Sequence, residues 1–117
     1  GIALTSCNDV SVNGNRLRIL GLNGIYVTQG TDIIVAHNAI KAAGRATDDT
    51  YSGIRVVTST TLTAIIGNQI RPNGSGNEVE FGIVITSTCS AMRRYGNSTS
   101  GLGIDDDASS NTSSADS

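Results

Sequence analysis

Asp49 and Glu78 each stand four residues before a Gly-Ile pair, in the segments "AAGRATDDTYS" and "RPNGSGNEVEF", with Asp48 and Glu80 close beside them. If both segments occupy equivalent places on adjacent layers of a stacked repeat, their carboxyl groups lie within about one strand spacing, roughly 5 Å. That is near the separation at which a retaining glycosidase holds its acid and its nucleophile. The competing reading is a set of solvated loop charges, because a repeat fixes its strands more firmly than its loops. A second pair is Tyr26 and Arg55, each the residue after a Gly-Ile pair. On one outer face, a phenol ring and a guanidinium suit an acidic sugar: the ring stacks and the guanidinium forks the carboxylate. An ordinary surface pair is the alternative.

Both candidates depend on whether the chain repeats, and it does. "GIALTSCNDVSVNGNRL", "GIYVTQGTDIIVAHNAI", "GIRVVTSTTLTAIIGNQI" and "GIVITSTCSAMRRYGNST" start at Gly1, Gly24, Gly53 and Gly82, with starts 23, 29 and 29 residues apart. Each runs from Gly-Ile through an apolar alternation, a Ser/Thr/Gly/Asn turn and a second apolar stretch to Asn15, Asn38, Asn68 or Asn97. The Gly-to-Asn distances are 14, 14, 15 and 15 residues. A period this regular outranks local propensity.

Within a copy the pattern is that of strands. In "GIYVT", Ile25 and Val27 alternate with Tyr26 and Thr28, and Ile33 and Val35 repeat the alternation in "DIIVAH". Asparagine tolerates the left-handed backbone of a sharp bend, so the recurring Asn is expected to take that conformation. Leu17, Ile40 and Ile70 then open a third short strand. Three strands per copy make one coil of a parallel β-helix. The alignment puts Ala3, Tyr26, Arg55 and Val84 in one outward column.

Composition agrees. Only 3% of the 117 residues are aromatic, a poor supply for an ordinary core, yet stacked coils bury Val, Ile, Leu and Ala against one another. The formal net charge is -2, with sparse charges of mixed sign and no basic run, which argues against nucleic acid or an anionic membrane as partner. No apolar stretch nears the roughly 20 residues of a membrane span.

The Gly-Ile strand, the apolar second strand and the recurring Asn resemble the right-handed parallel β-helix of the pectate-lyase superfamily, over Gly1 to about Thr99. That superfamily includes polysaccharide lyases, polygalacturonase-type hydrolases, alginate epimerases and phage tailspikes. The resemblance implies an all-β solenoid of about four coils, with Asn15, Asn38, Asn68 and Asn97 stacked as a hydrogen-bonded ladder. It also implies a substrate cleft along the first strand and its flanking loops. The expected ligand is a polysaccharide or cell-surface glycan, bound outside the cell or on a virion surface. Ligand-binding residues are expected at Tyr26, Arg55, Asp48 and Glu80. Asp49 and Glu78 are the catalytic pair if the chain belongs to a lyase, hydrolase or epimerase.

Residues 1–100 are expected to form the coils, and 101–117 a last strand or cap with a mobile Gly/Ser/Asp tail. "AMRRYGN" puts Arg93 and Arg94 where earlier copies are apolar, so the solenoid is expected to end there with the arginines covering its edge. The chain reads as a C-terminal fragment whose first coil is covered by upstream coils or another chain, with a homotrimer as one arrangement. No cofactor is expected. Asp105 to Asp107 offer oxygens for calcium but lack the spacing of a recognised loop, and no metal cluster stands in the sequence. His37, the lone histidine, reads as a turn residue. Cys7 and Cys89 fall three coils apart, about 14 Å, and cannot pair. Asn73, Asn97 and Asn111 match the glycosylation pattern, which carries little weight in a Ser/Thr-rich chain.

Overall fold

The computed structural model describes residues 1–18, 20–41, 43–47, 49–109, 112–114 and 116. The first coil is β1 (Ile2–Thr5), β2 (Asn8–Asn13) and β3 (Arg16–Arg18). The second is β4 (Ile25–Thr28), β5 (Thr31–Ala36) and β6 (Ala39–Lys41), and the third β7 (Ile54–Val57), β8 (Thr61–Ile66) and β9 (Gln69–Arg71). Beyond them come β10 (Ile83–Ile85), β11 (Arg93–Tyr95), β12 (Ile104–Asp106) and β13 (Thr112–Ser114). Corresponding strands pair in parallel into three sheets, β1-β4-β7-β10-β12, β2-β5-β8-β11-β13 and β3-β6-β9. The fold is a parallel β-helix.

Alternation decides what the coils enclose. Ile2, Ile25, Ile54, Ile83 and Ile104 share one inward column of the first sheet, and Leu4, Val27, Val56 and Ile85 the next. Val12, Val35 and Ile65 line the second sheet, and Leu17, Ile40 and Ile70 the third. In the middle coils these side chains are fully buried, each worth about 1.5–3 kcal/mol relative to exposure.

The Gly of the Gly-Ile pair is required by close approach. A Cβ on Gly53 would stand 2.5 Å from Ile70 Cγ2 and 2.7 Å from the Gly82 carbonyl oxygen. On Gly24 it would stand 2.4 Å from the Gly53 oxygen. First and third sheets therefore meet at a seam with no room for a side chain.

The asparagines form the ladder. Asn15 donates from its backbone N and from Nδ2 to Asn38 Oδ1, both at 3.0 Å, and Asn38 does the same to Asn68 Oδ1. Asn68 repeats it to Asn97 Oδ1 at 3.0 and 2.9 Å. Each inner Nδ2 also donates to a carbonyl of the preceding coil: Asn38 to Val12, Asn68 to Val35 and Asn97 to Ile65. The left-handed residue at this corner is not the Asn but its predecessor: Gly14, His37, Gly67 and Gly96 have φ of 72, 54, 61 and 66°. In three of the four coils the bend is thus made by glycine, which tolerates it best, in the second coil by His37, and the Asn is there for its amide.

The stack tapers from "AMRRYGN" onward. Its third strand shrinks to one bridge, Gln69 to Ser98, where Ser-Thr follows Asn97 instead of an apolar residue. The first two sheets nevertheless gain a fifth rung, β12 and β13. Arg94 sits in the inward column above Ile65, and Asp106 above Ile85. Arg94 Nε meets Asp106 Oδ2 at 3.1 Å, and its Nη1 pairs with Asp116. Asp116 Oδ1 accepts from Asn97 N at 2.8 Å and Nδ2 at 2.9 Å. Arg94 is therefore an inward counter-ion, not an edge cover, and Asp116 is the last rung of the ladder.

Candidate functional site

The first sheet presents Ala3, Tyr26, Arg55, Val84 and Asp105 as one register column, with Tyr26 directly beside Arg55. Tyr26 is half-buried and borders a hollow of about 350 Å³ that also touches Ala3, Leu22 and Asn23. Leu22 is 56% exposed. Arg55 Nη1 lies 3.4 Å from Glu80 Oε2 and 3.4 Å from the Thr50 carbonyl oxygen. Both contacts use one nitrogen of a five-donor group, and both partners are partly exposed, so the guanidinium is oriented over the loop and not consumed by it.

The loops before Gly53 and Gly82 stack as the strands do. Asp49 donates its backbone N–H to the Glu78 carbonyl oxygen at 3.2 Å, and Glu80 N donates to the Tyr51 oxygen at 2.7 Å. Asp49 and Glu78 are therefore on adjacent layers. Their side chains are employed differently. Glu78 folds back on its own loop and accepts the backbone N–H groups of Asn73 and Gly74, each at 2.8 Å. Asp49 is exposed, in a left-handed turn with φ 48°. A carboxylate clamping a turn is poorly placed to attack or protonate a substrate. Asp48 lies outside the described residues.

Asp105 and Asp107 close the outer face of the first sheet. Partial burial, then the neighbouring Asp107, with which it hydrogen-bonds, and more weakly Glu80 and Asp106, hold the Asp105 carboxyl above the ordinary carboxylate value. Among the described residues no group of three or more His, Cys, Asp or Glu side chains is gathered to hold a metal ion. Among the described residues no helix is long and apolar enough to cross a membrane. Cys7 and Cys89 are free thiols. His37 is exposed and lies against Gly67, where a Cβ would come within 2.7 Å of its Nδ1. Asn97 is buried in the ladder and closed to glycosylation, and Asn111 lies outside the described residues.

The linear charge pattern conceals one feature. The outer face of the third sheet carries Arg18, Lys41 and Arg71 in a single column, with Arg16 one column away. Each column member stands three residues after a ladder Asn, at 15, 38 and 68. Counting from the Asn, instead of scanning for runs, would have found them.

Comparison with models of known protein families, with curated proteins and with solved structures finds no match for this chain.

Proposed function

We propose that the chain is a glycan-binding module built on a β-helix of the pectate-lyase superfamily type, part of a cell-surface or tailspike-like protein. The observation that supports this best is the pairing of Tyr26 with Arg55 on a rigid outer face, beside a hollow edged by exposed Leu22. An amphipathic ring next to an oriented guanidinium recognises a sugar that carries a carboxylate. The stacked coils hold both side chains in place before binding, which reduces the ordering cost of association. The second reading, a fragment of a lyase, hydrolase or epimerase, draws on the adjacent layers of Asp49 and Glu78, but the engagement of Glu78 with two loop amides weighs against it.

A glycan array of neutral and acidic oligosaccharides, followed by titration calorimetry, tests this. Arg55→Ala is expected to weaken an acidic ligand by about 1.5–3 kcal/mol, the range for a hydrogen bond to a charged group. Asp49→Asn should leave affinity unchanged or raise it by relieving repulsion. Cleavage of the oligosaccharide that Asp49→Asn or Glu78→Gln abolishes would replace binding with catalysis. An array blank for every glycan would leave an architectural module.

A further inference from the structure

Half of the chain's 8 cationic side chains, Arg16, Arg18, Lys41 and Arg71, sit on the outer face of the third sheet, although the molecule's formal net charge is -2. All four are exposed. The three salt bridges among the described residues are made by Arg55 and Arg94 and involve none of them. The four line a shallow groove of about 290 Å³, with small Ala39 and the amide of Gln69 between them.

Parallel register puts Arg18, Lys41 and Arg71 on successive rungs, about 4.8 Å apart. Like charges directly opposite on neighbouring strands repel, and an anion laid along the column reverses that repulsion. The β-helix holds the row straight, so a matching ligand is an extended chain with an anionic group at each unit, running parallel to the solenoid axis. The two guanidiniums favour planar or multi-oxygen anions that accept two hydrogen bonds. Gln69, with both donor and acceptor capacity, meets hydroxyls.

We propose that this face is a binding site for a linear polyanionic glycan carrying a carboxylate or sulfate on each sugar, separate from the Tyr26–Arg55 face. The proposal deepens the glycan-module reading and rests on it. Single-stranded nucleic acid fits less well, because no aromatic side chain lines the groove to stack a base. An anionic membrane fits less well too, because the apolar side chain nearest the cations, Ile40, is buried in the core and cannot insert.

The test uses the full chain with three probes, an oligogalacturonate, a dextran sulfate and a poly(dT) of similar charge, titrated by calorimetry at low and at physiological salt. The combined Arg18→Ala, Lys41→Ala and Arg71→Ala variant, checked for an unchanged melting curve, is expected to bind the glycan at least about tenfold more weakly. Its salt dependence should be shallower, while Arg93→Ala, which removes an exposed cation of the second sheet outside both proposed faces, keeps affinity within about twofold. Should the triple variant misfold, the single Lys41→Gln variant, at the centre of the column, must still weaken binding and flatten the salt dependence. A preference between the first two probes assigns carboxylate or sulfate. Undiminished binding by the variant, binding lost only in Arg55→Ala, tighter binding of poly(dT), or no binding of either glycan each overturns the proposal. Short sugars of the array that carry a single carboxylate, compared between the parent chain and Arg55→Ala, judge the Tyr26–Arg55 face independently of that outcome.

Discussion

At the N-terminal end of the stack, Ile2, Leu4, Val10 and Leu17 stand in the inward columns but are only partly buried. At the other end the same kind of column is finished by Arg94 and Asp106, whose side chains are 13% and 7% exposed, with Asp116 at 8%. An inward position in a solenoid is thus defined by register and not by hydrophobicity. A terminal coil has one covered side, and an aliphatic residue there gains only part of its burial energy. Ions that satisfy one another and the last ladder amide solve that problem within the chain. The first coil carries aliphatic residues in those columns and no ion pair of this kind among the described residues.

This contrast can be tested along the ladder. The largest effect is expected from Asn68→Ala, which removes a fully buried amide and leaves the Val35 carbonyl, the Asn38 donors and Asn97 Oδ1 short of partners. The loss should be about 4 kcal/mol by denaturant unfolding, against about 1 kcal/mol for Asn15→Ala at the half-buried rung of the first coil. Equal losses at the two sites would show that burial does not set the value of a rung.

Arg94→Leu comes next. It removes the Arg94 guanidinium from between inward Asp106 and Asp116 and should cost about 3 kcal/mol. Adding Asp106→Leu and Asp116→Asn should recover most of that, since an apolar plug and an amide then complete the column and the ladder. Failure to recover would mean that the ions do more than terminate the core.

The smallest effect is a pH dependence at Asp105. Its carboxyl is held above the ordinary 3.8, so the folded state binds that proton more tightly than the unfolded chain does. The penalty is absent below the unfolded value and complete above the folded one. Asp105→Asn should therefore raise Tm at neutral pH, and the gain should vanish below about pH 3.8. A gain that persists in acid would assign the effect to something other than ionisation.

Much of the fold was legible because the period carries it. The Gly-Ile seam, the alternating aliphatics and the four asparagines each recur at a fixed offset, and the observed register repeats those offsets. Two things were not legible. Asp116 completes the ladder as a carboxylate, and neither its residue type nor its surroundings mark it as a rung until Arg94 is seen to turn inward. The basic column was hidden because its members are 23 and 30 residues apart, invisible to a search for local charge runs. Loops fared differently again. Repeat position placed Asp49 and Glu78 on adjacent layers, but only local geometry decided that Glu78 would clamp Asn73 and Gly74.

The ladder also has a sense of direction. Within the row of side-chain amides each Asn donates to the Oδ1 of the higher-numbered coil and, from Asn38 on, accepts from the lower one, so the row is a polarised line whose members reinforce one another. At its far side the row runs into the carboxylate of Asp116, which accepts from the backbone and side chain of Asn97. A carboxylate accepts but has no N–H to hand on, so the relay of amide donors stops at that rung, where an asparagine would have left a donor reaching onward.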